Sequence, residues 1–335
     1  MQQILIVGPA WVGDMVMAQS LYKTLQQRYP GVAIDVLAPA WSGPILSRMP
    51  EVRRLIDMPV GHGAFGFAPR RRIGMALRDE SYDQAIIIPR SFKSALVPFF
   101  ANIPRRTGYK GEMRYGLIND MRPLDKSVLT QTVQRYVALG LAANEKLPPA
   151  SIPQPRLEVN TDNQVLLLDK LSLSVEVPVV GFVPGAEYGL AKRWPPEYFA
   201  DLAKRLVGQG RQVWLFGSEK DRPVCQQIAA QVGKGVVDLA GRTSLEEVVD
   251  LIGLTEQVVT NDSGLMHIAA ATGRRVIAIY GSSSPAYTPP LTDNAEVLYL
   301  ALGCSPCFER QCPLGHTRCL TEIDVDRVLK KCQLS

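Results

Sequence analysis

Asp14 stands in the segment Gly8-Pro9-Ala10-Trp11-Val12-Gly13-Asp14, directly after the apolar run Ile4-Leu5-Ile6-Val7. A carboxylate where a strand turns into a helix can take a proton from an attacking hydroxyl, and the helix-start dipole favours its ionised form. The same residue can instead cap the helix, because its oxygen can accept from an orphan N–H. The glycines allow close backbone approach to a ligand. Their spacing completes neither G-x-G-x-x-G nor a phosphate loop ending in G-K-[ST].

A second group of chemistry-bearing residues follows apolar runs in the later half. Gly185 lies in Val183-Pro184-Gly185-Ala186, and Lys192 in Lys192-Arg193-Trp194-Pro195. Glu219 and Asp221 lie in Phe216-Gly217-Ser218-Glu219-Lys220-Asp221. Asn261-Asp262-Ser263-Gly264-Leu265-Met266-His267 and Tyr280-Gly281-Ser282-Ser283-Ser284-Pro285 complete the set. Four such loops along one sheet edge suit a nucleotide. A lysine and helix-start N–H groups hold phosphates, and a carboxylate, Asp221 or Glu219, takes ribose hydroxyls. Each residue also has an ordinary reading: Lys192 as a surface lysine, Asp221, Asp262 and Ser263 as helix caps, His267 as a core side chain. Their recurrence after successive strands favours the nucleotide.

The elements needed to position these groups are legible. Strand patterns occur at Ile4–Val7, Ala33–Leu37, Arg54–Met58 and Gln84–Ile88, then at Val179–Val183, Gln212–Phe216, Val236–Leu239, Gln257–Thr260 and Val276–Tyr280. Between the first two, Met17, Leu21 and Leu25 mark one face of a helix ending before Pro30-Gly31. Alternating strands and helices predict α/β folding with parallel sheets. A proline-rich stretch with Pro148, Pro149, Pro153 and Pro155 predicts two Rossmann-like domains, 1–150 and 166–335, joined by a linker at 151–165 and facing each other across a cleft.

The chain has 335 residues, enough for two cores, with 46% hydrophobic and 21% charged residues. It contains no apolar run of membrane-spanning length and no signal-peptide pattern, so the expected compartment is the cytoplasm. The net charge of +5 is uneven. Residues 1–150 hold 19 Lys and Arg against 11 Asp and Glu, and residues 151–335 hold 18 against 21. The basic half calls for an anionic partner, and Arg70, Arg71, Arg72, Arg90, Lys93, Arg105, Arg106, Lys110 and Arg114 are its candidates. Nucleic acid is disfavoured, because the nucleotide-type loops lie in the acidic half.

Four cysteines fall in Cys304-x2-Cys307-x4-Cys312-x6-Cys319, with His316 inside the segment. A structural zinc, a disulfide pair and free thiols all remain open. A reducing cytoplasm weighs against disulfides, and the intervals do not match a zinc ribbon. Cys225 and Cys332 read as packing residues.

These segments, together with Ser91-Phe92-Lys93-Ser94-Ala95-Leu96-Val97-Pro98-Phe99-Phe100 and Gly111-Glu112-Met113-Arg114-Tyr115-Gly116-Leu117, closely resemble the ADP-heptose:lipopolysaccharide heptosyltransferases of glycosyltransferase family 9. The resemblance spans nearly the whole chain. It implies a GT-B arrangement and inverting transfer of L-glycero-D-manno-heptose from ADP-heptose to the first heptose of the lipopolysaccharide inner core. By the family's pattern Asp14 is the general base. Gly185, Lys192, Asp221, Asp262, Ser263, Gly264 and His267 would serve the donor. Gly13, Lys93, Arg105, Arg106, Lys110 and Arg114 would serve the anionic acceptor. Lys192 would stabilise the departing ADP, so catalysis would need no metal, and no Asp-x-Asp motif is expected. The enzyme would touch the inner-membrane surface only transiently. The alternatives are another family 9 transferase with a different acceptor or donor, and a GT-B-type nucleotide-sugar epimerase.

Overall fold

The computed structural model describes residues 2–61 and 63–333. The chain divides into two compact units, Met1–Pro155 and Arg156–Ser335. The first contains β1 (Gln3–Val7), β2 (Ala33–Ala38), β3 (Val52–Asp57), β4 (Gln84–Ile87), β5 (Arg105–Tyr109) and β6 (Asp120–Arg122). They form one parallel sheet in the order β3-β2-β1-β4-β5-β6. In register, Val7 pairs with Leu37 and Ile87, and Ile87 with Gly108, so these carboxyl ends are level.

The second unit repeats this plan with β7 (Val179–Val183), β8 (Gln212–Leu215), β9 (Val236–Asp238), β10 (Gln257–Asn261), β11 (Arg275–Ile279) and β12 (Ala295–Leu298). Its order, β12-β11-β10-β7-β8-β9, is again parallel throughout. Central strands such as β4 and β7 are buried along their whole length, because helices cover both faces of such sheets. In each sheet the strand order reverses once, between β1 and β4 and between β7 and β10. Open α/β sheets bind ligands outside the carboxyl ends at that switch point.

The helix Val12–Arg28 follows β1 and buries Met15, Val16, Leu21, Tyr22 and Leu25. It packs on the helix Thr132–Gly140. The approach there is close: a Cβ on Gly140 would lie 2.7 Å from Leu21 Cδ1. In the second unit Trp194 is buried against Phe199, with ring centroids 5.0 Å apart, and its indole N–H donates to the Ile323 carbonyl at 2.8 Å. This anchor fixes the backbone two residues after Lys192.

Three strands depart from the expected pattern. β5 opens with Arg105-Arg106, β6 has three residues, and β12 is only partly buried. The stretch 151–160 has no regular element, but the helix Thr161–Leu171 starts inside the region expected to be linker. Asn160 caps that helix, accepting from the Asn163 N–H at 3.0 Å. Leu157 already donates to the Ala271 carbonyl of the second unit at 2.9 Å.

Candidate functional site

In the first unit, Gly8 ends the β1 edge under tight constraint. A Cβ there would meet Met15, Val36 and Ala38 at 3.1–3.3 Å. The helix beyond has Trp11 at its N-cap, in extended backbone and without a side-chain cap bond. Asp14 is therefore the third helical residue rather than the cap. It is partly exposed, one turn from the switch point, with buried Gly13 before it. A carboxylate near the uncapped start of a helix stands where helix N–H groups favour its charge.

The loops after β4 and β5 supply the neighbouring groups. Lys93 donates to the Ala64 carbonyl at 3.0 Å, and Lys110 is exposed just past the end of β5. Three of the expected acceptor arginines have other work. Arg114 is fully buried, and its guanidinium donates to the carbonyls of Pro89 and Tyr109 and to Ser94 Oγ. Burial, and then the nearby Arg90 charge, pull its pKa down to about 10. It ties the loops after β4 and β5 together and offers no surface to a ligand.

Arg105 and Arg106 begin β5, level with Gln84 and Ala85, at the amino edge of the sheet. Three strand residues place Arg105 roughly 10 Å from the carboxyl edge. Arg105 pairs with Asp120 at 3.0 Å. Arg106 donates to the Leu117 and Ile103 carbonyls, both at 2.6 Å, and lies over the Phe99 ring. The pair therefore stands in a strand and not in the loop its sequence suggests, with Arg105 still exposed.

In the second unit the donor candidates gather on both sides of the switch point. Lys192 follows β7 and Asp262 follows β10, and their side chains pair at 2.6 Å with little exposure. Asn261 crosses the switch, accepting from the Trp194 N–H at 3.0 Å and donating to the Pro184 carbonyl at 2.8 Å. The helix Gly264–Ala271 starts at Ser263 without a side-chain cap bond. Neither Asp262 nor Ser263 is spent as a cap, so the first helical N–H groups face the carboxyl edge as anion donors.

Asp221 does cap. Its Oδ2 accepts from the Ser218 N–H at 3.0 Å and the Ser218 hydroxyl at 2.8 Å. The same carboxylate fills the space beside Gly185, where a Cβ would come within 2.2 Å of Oδ1. Glu219 is more exposed and pairs with Arg222 at 3.0 Å.

His267 is 5% exposed, and burial lowers its pKa to about 4 against an opposing pull from Asp262 and a reinforcing one from Lys192. Its imidazole is neutral at physiological pH. The unfolded chain takes up this proton near pH 6.5 and the folded one does not, so stability falls as pH drops from about 6.5 toward about 4. Over that window His267 costs about 3 kcal/mol. His267→Gln should flatten the acid limb of a Tm-against-pH curve. An unchanged acid limb would mean that His267 does not contribute to it.

The structure adds detail at the loop after β11 and one residue, Tyr188, that sequence reasoning does not single out. The buried hydroxyls of Ser282 and Ser283, beyond β11, have no hydrogen-bond partner. Tyr188 carries Lys192 on its ring at 5.1 Å and the Arg310 guanidinium at 5.4 Å. The Ser282-Ser283-Ser284 run was a usable signal; the Tyr188–Arg310 contact spans too much sequence to give one.

Arg310 belongs to the cysteine-rich segment, which is built into the donor loops. Its carbonyl accepts from the Ala191 N–H at 3.1 Å, and Ser305 Oγ donates to the Gly281 carbonyl at 2.6 Å. Cys304, Cys307, Cys312, Cys319 and His316 line one small cavity, and the cysteines are free thiols. Backbone N–H groups of residues 314–317 point at Cys312 Sγ, Thr317 foremost, and lower its pKa. The expected zinc finds no support, since among the described residues no three His, Cys, Asp or Glu side chains are grouped to hold a metal ion. Contrary to the expectation of no Asp-x-Asp motif, the pattern occurs once, at Asp324-Val325-Asp326, where both carboxylates have protein partners. Asp324 accepts from the Arg327 N–H at 2.7 Å, and Asp326 pairs with Arg205 at 2.5 Å.

Two doubly wound sheets, one with a carboxylate near its switch point and the other with a lysine–aspartate pair there, place the chain among the two-domain α/β proteins. A family model described as glycosyltransferase family 9 (heptosyltransferase) matches residues 70–318, and the chain belongs to this family. It is 50% identical to lipopolysaccharide heptosyltransferase 2 of Salmonella typhimurium, over 98% of this chain and 97% of that one. It is 51% identical to lipooligosaccharide heptosyltransferase 2 of Haemophilus influenzae, over 90% and 89%. The solved structure of ADP-heptose lps heptosyltransferase II from E. coli superposes with a TM-score of 0.88 at 46% identity, covering 99% of this chain and 97% of that one.

Proposed function

We propose that this chain transfers L-glycero-D-manno-heptose from ADP-heptose to the first heptose of the lipopolysaccharide inner core, with inversion at the anomeric carbon. The observation that carries this reading is half identity over almost the full length of a lipopolysaccharide heptosyltransferase 2. In one displacement the acceptor oxygen bonds to the anomeric carbon while the bond from that carbon to the ADP oxygen breaks. Asp14 takes the acceptor proton. Lys192 and the N–H groups at Ser263-Gly264 meet the charge that grows on ADP, so the chemical step is proposed to need no metal. Gly185 belongs to the donor loop, where its missing Cβ leaves room for the Asp221 carboxylate; Glu219 or Asp221 takes the ribose hydroxyls, and neutral His267 lies beside Asp262.

The acceptor is proposed to rest at the carboxyl edge of the first unit, by Gly13, Lys93 and Lys110. Arg105, Arg106 and Arg114 shape that unit from outside the binding surface. No helix among the described residues is long and apolar enough to cross a membrane. We assign the protein to the cytoplasm, with peripheral contact at the inner membrane and no nucleic-acid partner. A different family 9 acceptor or an epimerase activity is less well supported, given the identity to lipopolysaccharide heptosyltransferases.

The test is transfer from ADP-heptose to three acceptors, ending in Kdo alone, in one heptose or in two, each with and without a chelator. The expected product forms only on the one-heptose acceptor and survives chelation. Preference for either other acceptor would overturn the assignment.

A further inference from the structure

The first unit exposes aromatic surface that the transfer chemistry does not use. Phe65 is 51% exposed, Phe67 49%, Phe99 39% and Phe92 36%. Their rings form one connected series. Phe92 stacks with Phe65 and Phe65 with Phe67, each pair 6.4 Å apart, and Phe67 meets Phe100 edge-on at 5.5 Å. The rings come from the loop after β3, the helix Phe67–Ala76, and the turn and helix after β4.

This surface is a fixed platform. Arg70 is buried and donates to the Phe65 carbonyl at 2.8 Å, and Lys93 holds the adjacent Ala64 carbonyl. The Phe92 N–H donates to Glu112 at 2.6 Å. Gly74 lets the helix Phe67–Ala76 pack closely, since a Cβ there would lie 2.6 Å from Phe100 Cβ. The next two arginines, Arg71 and Arg72, are exposed and share a shallow groove with Phe67, Ala68 and Met75. From Met58 to Arg78 the sequence contains no Asp or Glu.

We propose that Phe65, Phe67, Met75 and Phe92, with Arg71 and Arg72, dock the protein on an anionic lipid bilayer. Exposed apolar rings joined to unpaired-sign basic charge on one face match the two contributions of interfacial binding, apolar burial and attraction to anionic headgroups. The 21-residue stretch from Met58 to Arg78 carries basic but no acidic side chains, which complements an anionic headgroup surface. The inference rests on the reading of the acceptor as lipid-linked, since such a substrate is met only at a bilayer surface.

The probe is flotation with phosphatidylcholine vesicles, with and without phosphatidylglycerol and without any acceptor. Wild type should float with the anionic vesicles and lose that binding as salt rises. At about 1 kcal/mol per basic residue near the surface, R71S/R72S should weaken partitioning roughly 30-fold. F65S/F67S should weaken it about 10-fold or more. Both variants should keep wild-type transfer to a soluble, deacylated acceptor, which tests the function separately and reports folding. No flotation of wild type, or equal flotation of both variants, would overturn the proposal. So would a dimer by light scattering that F65S/F67S abolishes without any vesicle binding, which would make the face a contact between copies.

Discussion

Asp14→Asn is expected to lower turnover at least ~10²-fold while leaving the protein folded. The substitution keeps the size and shape of the side chain but removes its ability to take the acceptor proton. Asp14 is the third helical residue, after the N-cap Trp11, and an amide oxygen at that position can still accept a helix-start N–H. Thermal unfolding should therefore change little, and the Michaelis constant for ADP-heptose should stay near wild type. Asp14→Glu keeps the carboxylate but moves it by one methylene, so partial activity is expected. This graded response separates a base from a structural carboxylate, which would move stability and turnover together. Near wild-type turnover in the folded Asn variant would remove Asp14 from the chemistry.

The parts of the fold legible in the sequence are those fixed by local physics. Val179–Val183 is an unbroken apolar run because its strand is buried on both faces, and its bounds can be read directly. β5 was hidden because its first two residues are arginines, and only pairing to β4 makes a strand of them. The same blindness misplaced the basic residues. Charge could be counted along the chain, but whether a guanidinium meets solvent, as at Arg71, or backbone carbonyls, as at Arg114, depends on which loops fold over it. The Asn-Asp-Ser-Gly segment reads locally as a strand-to-helix loop, but the pairing of Asp262 with Lys192 spans 70 residues and needs the β7–β10 adjacency. Asp221 showed the opposite outcome, since Ser218-x-x-Asp221 is a local capping pattern and the structure realises it.

Lys192→Ala is expected to lower turnover by ~10²–10³-fold, the scale for removing a group that stabilises developing charge. The charge on ADP grows as its bond to the sugar breaks, so the loss should appear in kcat more than in the acceptor's Michaelis constant. The structure adds a second consequence. Asp262, with its side chain only 6% exposed, would lose the cation 2.6 Å away. Breaking a buried pair from one side costs about 3–5 kcal/mol, so the single variant should also unfold more easily. Lys192→Met combined with Asp262→Asn removes both charges and should recover much of that stability. Steady-state kinetics and thermal unfolding of the single and double variants then separate the two roles. If Lys192 acts on the leaving group, the double variant is stable and still slow. Recovery of turnover along with stability would mean that Lys192 merely neutralises Asp262.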